Sequence, residues 1–158
     1  MKVGIIVHSE TGHTMGIARE IKKRLEASGH TVDLQSVVAK SKKPWKEQMP
    51  TLQVTPNPRG YDCLVLGAPA WGFTLSHVMR EYLYQVRPIE TEKLVLFSTC
   101  ALPRFFGGNR AMKVMASIAR TPESGTVFAG SVRFPRSKKP RHIDEVVDQA
   151  VEAVESLV

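Results

Sequence analysis

The chain has 158 residues, of which 42% are hydrophobic and 23% charged, with a formal net charge of +7 and a pI near 9.6. That is the length of a single domain, residues 1–158, able to bury about two thirds of its unfolded surface without disulfides or metals. No apolar run approaches a membrane span and the opening apolar segment is too short for the core of a secretion signal, so the expected location is the cytoplasm.

The uninterrupted apolar run Val3-Gly4-Ile5-Ile6-Val7 predicts a strand buried on both faces. An amphipathic helix follows, with Ile17, Ala18, Ile21 and Leu25 on one stripe and Gly29 as its stop. Residues 31–38 predict a second strand. Between Val38 and Tyr61 lies a basic stretch with Pro44, Pro50, Pro56 and Pro58, where at best one helical turn is expected around Trp45 to Met49. Trp45 is expected either to plug an uncovered sheet face or to stand exposed as an anchor for a partner. Residues 62–67 predict a third buried strand, and Leu75, Val78, Met79, Tyr82, Leu83 and Val86 a helix capped by Thr74 or Ser76. A fourth strand over 93–99 leads through a loop, 100–108, to a helix carrying Met112, Met115, Ala116 and Ala119 that stops near Pro122. Residues 126–134 predict a fifth strand, and Ile143, Val146, Val147, Ala150, Val154 and Leu157 the last helix. This alternation implies a doubly wound five-stranded parallel sheet with helices on both faces and a poorly formed second crossover helix. Cys63 and Cys100 then fall on neighbouring strands about 15 Å apart, beyond disulfide reach.

Where the first strand turns into the first helix the sequence reads His8-Ser9-Glu10-Thr11-Gly12-His13-Thr14. The first turn of a helix has no internal acceptors for its N–H groups, so three hydroxyls and a glycine placed there make an anion cradle. An N-cap and turn is the plainer reading of the same residues. The loop lacks the Gly-Lys-Ser/Thr ending of a nucleotide triphosphatase and the spaced glycines of a dinucleotide fold.

Ser9-x-Thr11-Gly12-x-Thr14 resembles the phosphate loop of the flavodoxin family, whose hydroxyls and amides bind the FMN monophosphate without a cationic side chain. The element order is similar to that family's along nearly the whole chain, and the resemblance implies a cofactor site at the carboxyl edge, where the winding reverses. It assigns cofactor binding to Ser9, Glu10, Thr11, Gly12, His13 and Thr14, and to Pro69, Ala70, Trp71, Gly72 and Phe73 after the third strand. There Trp71-Gly72 is similar to the family's aromatic-glycine pair, with Trp71 offering a π-face and Gly72 a peptide free to turn. Trp71 as core beneath the loop is the alternative. After the fourth strand Thr99, Cys100 and Ala101 are expected near the ring's polar edge. The family's tyrosine is missing there, leaving Phe105, Phe106 or a flat-lying Arg104 as the second wall.

No acid occurs in 68–77 or 100–110, whereas Arg104 and Arg110 do, so the potential for the flavin's second electron is expected to be less negative than in an acidic flavodoxin. Basic clusters at Lys40, Lys42, Lys43 and Lys46 and at Arg133, Arg136, Lys138, Lys139 and Arg141 favour acidic redox protein partners or are solvated loops; no nucleic-acid motif accompanies them. The resemblance implies an FMN-binding electron carrier with no catalytic acid, base or metal. The alternatives are an FMN-dependent NAD(P)H:quinone-type oxidoreductase, with His13 and His77 as unassigned histidines, and an interaction module without flavin.

Overall fold

The computed structural model describes residues 1–121, 125–136 and 139–157. Strands β1 (Lys2–Val7), β2 (Thr31–Ser36), β5 (Cys63–Trp71), β7 (Lys93–Cys100) and β8 (Thr126–Arg133) form a parallel sheet in the order β2-β1-β5-β7-β8. The winding reverses between β1 and β5, and a two-residue strand, β6 (Thr74–Leu75), turns back antiparallel on the end of β5. This is the doubly wound flavodoxin-like architecture that the element order implied.

Helices α1 (His13–Ala27) and α4 (Ile143–Glu155) cover one face, and α2 (His77–Val86) and α3 (Gly108–Ala119) the other. The apolar stripe of α1 is buried as its spacing requires, with Ile17, Ala18, Ile21 and Leu25 packed against Ile5, Val65 and Val147. The opposite layer sets Leu64, Leu66, Leu94 and Leu96 of the sheet against Val78, Met79, Leu83, Met112 and Met115. Of the two expected caps for α2, Ser76 is the one used: its Oγ accepts from Met79 N–H at 3.3 Å. The stop proposed at Pro122 lies outside the described residues; α3 itself ends at Ala119 with Arg120 in the left-handed region.

The second crossover contains no helix of more than one turn. Strands β3 (Val38–Ala39) and β4 (Leu52–Val54) pair antiparallel beside a short 3-10 turn at Pro44–Lys46. Val37, Ala39, Pro44, Pro50, Pro56 and Pro58 are buried, and the Tyr82 hydroxyl donates to Pro56 O at 2.6 Å. Trp45 is 49% exposed, so the prolines and small apolar residues cover this face and the tryptophan does not plug it. Proline rings lose little further entropy on burial, which suits them to covering a face without regular structure. Both cysteines are buried and free.

Candidate functional site

β1, β5, β7 and β8 all run toward one edge of the sheet, so the loops leaving them share that edge. The phosphate-type loop is tied down at both ends. His8 N–H donates to Gly67 O at 3.0 Å, and Ser9 Oγ accepts from Met15 N–H at 3.2 Å. The Thr14 and Thr99 hydroxyls bond each other at 2.8 Å, both buried, which fixes the first turn of α1 against the end of β7. Gly12 occupies the N-cap position with φ 90° and no side-chain cap, a conformation that glycine adopts at no steric cost. Among the described residues, no backbone or side-chain acceptor takes the N–H groups of Thr11, Gly12, His13 or Thr14. Four donors at the positive end of a 15-residue helix therefore lack a partner among the described residues.

Beside them lies a cavity of about 530 Å³. The phosphate-type loop contributes Thr11 and His13 to it, and the end of β5 contributes Pro69, Ala70 and Trp71; Thr99, Cys100 and Ala101 close the floor from β7. The far wall comes from the segment after β8, through Phe134, Pro135, Arg136 and Pro140. Phe134 N–H donates to Cys100 O at 2.7 Å, and Arg133 and Arg141 exchange backbone hydrogen bonds at 3.1 and 2.9 Å, closing the basic segment into a loop beside the cavity. The His13 ring stacks on Phe134 with centroids 4.0 Å apart and planes 6° from parallel.

Trp71 is partly buried and held edge-on by two histidines, His8 at 5.1 Å and His77 at 5.7 Å. His77 Nδ1 donates to Glu47 O at 2.8 Å, which ties this aromatic group to the proline-rich crossover. His8 is 1% exposed; its ring bonds Ser76 Oγ at 2.8 Å and Glu10 Oε1 at 2.9 Å. Burial lowers the pKa of His8, and the hydrogen bond and charge of Glu10 oppose that shift only in part.

Eight of the sequence-assigned residues line one cavity: Thr11, His13, Pro69, Ala70, Trp71, Thr99, Cys100 and Ala101. Ser9, Glu10, Gly12 and Thr14 belong to the loop beside the cavity and are not among the residues that line it. Gly72, with φ 63°, and Phe73 form the β5–β6 turn outside it. Phe105 and Phe106 are 74% and 50% exposed and tilt against each other at 4.4 Å, away from the cavity. Arg104 also leaves the expected second wall, because its guanidinium pairs with Glu145 at 3.4 Å. Besides Trp71, the aromatic residue that lines the cavity is Phe134. The sequence held a signal for it, since the fifth strand of a parallel sheet must end at the same edge as the others. Among the described residues no group of His, Cys, Asp and Glu side chains could hold a metal.

A flavodoxin domain family model matches residues 4–138. No curated protein matches the sequence. Among solved structures, oxidised Flavodoxin 2 from Bacillus cereus superposes with a TM-score of 0.69 at 20% identity, covering 99% of both chains. A flavoprotein in complex with FMN from Lactobacillus acidophilus gives 0.62 at 17% identity, over 84% of this chain and 92% of that one. The rubredoxin oxygen:oxidoreductase of Desulfovibrio gigas gives 0.63 at 16% identity, where this chain matches 36% of a longer protein. The family match over most of the chain, on a sheet whose winding reverses beside the unpartnered amides of the first helix, makes this protein a member of the flavodoxin domain family.

Proposed function

We propose that the chain is an FMN-binding flavoprotein that carries electrons between redox partners. The observation that carries this reading is the set of N–H groups from Thr11 to Thr14, without acceptors among the described residues and beside a cavity with aromatic walls. Those amides and the Ser9 and Thr11 hydroxyls would hold the phosphate, which suits an anion recognised by dipoles rather than by a cation. Trp71 and Phe134 would border the ring, and Thr99, Cys100 and Ala101 its polar edge. FMN, when bound, supplies the one- and two-electron chemistry, while the protein sets its position and potential. The chain's contribution is rigid: Thr14 locked to Thr99, and Trp71 braced by His8 and His77, keep the walls in place without reorganisation.

The basic surface selects acidic redox proteins as partners through electrostatic steering. One observation favours a second reading, an FMN-dependent NAD(P)H:quinone-type oxidoreductase. Arg136 lines the cavity with positive charge that an anionic substrate would meet. The deciding experiment is an absorption spectrum of the purified protein with added FMN, followed by turnover with NAD(P)H and a quinone. A flavin spectrum perturbed by the protein with negligible turnover supports the carrier. Rapid turnover supports the oxidoreductase, and an unperturbed spectrum rejects both.

A further inference from the structure

The side chains left outside the cavity collect on one rim of the same sheet edge. Phe73 is 63% exposed at the tip of the β5–β6 turn, and Leu102, Phe105 and Phe106 are exposed on the loop between β7 and α3. The two loops touch: a Cβ built on Gly107 would lie 2.9 Å from Gly72 O and 3.6 Å from Phe73 Cα. The second loop in turn meets the basic segment, where Arg133 Nε donates to Ala101 O at 3.4 Å. Arg110, in the first turn of α3 after that loop, is exposed, as are Arg136, Lys139 and Arg141, and among the described residues none of the four makes an ion pair. No acid occurs in 68–77, 100–110 or 126–142.

Protruding phenyl groups flanked by unpaired cations of one sign answer a particular kind of surface. A protein partner anchors an aromatic ring in a pocket of matching shape and meets each charge at a fixed place. A bilayer asks only that apolar tips reach the boundary between headgroups and acyl chains while arginines and lysines meet lipid phosphates. The phenyl rings here are exposed and line no part of the site cavity, and among the described residues the four flanking cations make no ion pair.

From this juxtaposition we propose that the rim formed by Phe73, Leu102, Phe105 and Phe106 with Arg110, Arg136, Lys139 and Arg141 is a docking surface for an anionic lipid bilayer. Docking would bring the mouth of the cavity to the membrane surface without any span. Among the described residues no helix is long and apolar enough to cross a membrane. The inference stands on exposed side chains and does not require that the cavity hold flavin.

The test is co-sedimentation of the whole chain with vesicles of phosphatidylcholine containing roughly one third phosphatidylserine, beside vesicles of phosphatidylcholine alone. The proposal expects pelleting with the anionic vesicles, little with the neutral ones, and release as salt is raised. The double substitution Phe105→Ser/Phe106→Ser should lower the partition coefficient by about tenfold or more. Arg110→Glu should lower it in the anionic vesicles while leaving the neutral control unchanged. A thermal melt of each variant, expected to stay near the parent because these side chains are exposed, shows that the fold is intact. Absence of binding to anionic vesicles, equal binding to both kinds, or loss of neither with the two variants would overturn the proposal. Binding of an acidic protein that Phe105→Ser/Phe106→Ser abolishes, with no vesicle binding, would reassign the rim to a protein partner. Because pelleting is read from protein absorbance, a chain that fails to bind FMN still gives a result.

Discussion

Replacing Thr14 with valine keeps the shape of the side chain and removes one hydroxyl from the buried Thr14–Thr99 pair. The two oxygens are 2.8 Å apart and both residues are nearly inaccessible, Thr14 at 2% and Thr99 at 4%. The Thr99 hydroxyl then stays buried without its partner, which costs about 1–3 kcal/mol, more than the net worth of the bond itself. For a chain of this length each kcal/mol lowers Tm by roughly 2–4 °C. Thr99→Val should cost a similar amount for the same reason. The double variant should cost clearly less than the sum, since removing both partners leaves no orphaned group. Urea denaturation of the four proteins closes the cycle. Single costs that add within about 0.5 kcal/mol would show that the hydroxyls do not act as a pair, and would refute the claim that this bond fixes the phosphate-type loop to β7.

Gly12→Ala meets no neighbour, since nothing lies within 4 Å of the added Cβ, so its effect isolates the left-handed backbone at φ 90°. A loss of about 1–2 kcal/mol in urea denaturation, with weaker FMN binding, is expected. His8 is held neutral by burial, so its folded pKa lies below the ordinary value of 6.5. The unfolded chain therefore takes up protons first on acidification. The stability His8 contributes is complete above 6.5 and declines as pH falls below it, and His8→Asn should flatten the pH profile below that value. Arg136→Glu places negative charge on the cavity wall, and spectroelectrochemistry should show the potential for the flavin's second electron becoming more negative. An unchanged potential would remove Arg136 from the flavin's electrostatic surroundings.

Much of the architecture was legible because it rests on periodicity. The three- and four-residue spacing of α1 and α2 and the apolar runs of β1, β5 and β7 are consequences of burial, and burial leaves a pattern in any sequence. The reading failed where a single side chain's direction mattered. Residues 68–71 look like loop because Pro69 interrupts them, yet β5 continues through Trp71, with Pro69 facing Thr99 at the far end of the ladder. For Trp45 the sequence leaves a plug and an exposed anchor both open; it is exposed, and buried Pro44, Pro50, Pro56 and Pro58 help cover the face. For the second wall the loop after β7 offers Phe105, Phe106 or Arg104 alike, because chain position does not state which way a loop residue points. Phe134 was hidden for the opposite reason, ending a strand amid residues noticed only for their charge. His8 carries no pattern of its own; its burial against Ser76 and Trp71 depends on contacts distant in the chain, 68 residues for Ser76, which its neighbours do not reveal.

The central claim is that backbone amides at the start of α1, rather than cationic side chains, bind a flavin through its terminal phosphate. Titrating the flavin-free protein with FMN and with riboflavin under one set of conditions tests it most directly, because the two ligands differ only in that group. Two or more charge-assisted hydrogen bonds at about 1.5–3 kcal/mol each predict that FMN binds at least about 100-fold more tightly. Equal affinities for the two would contradict the account.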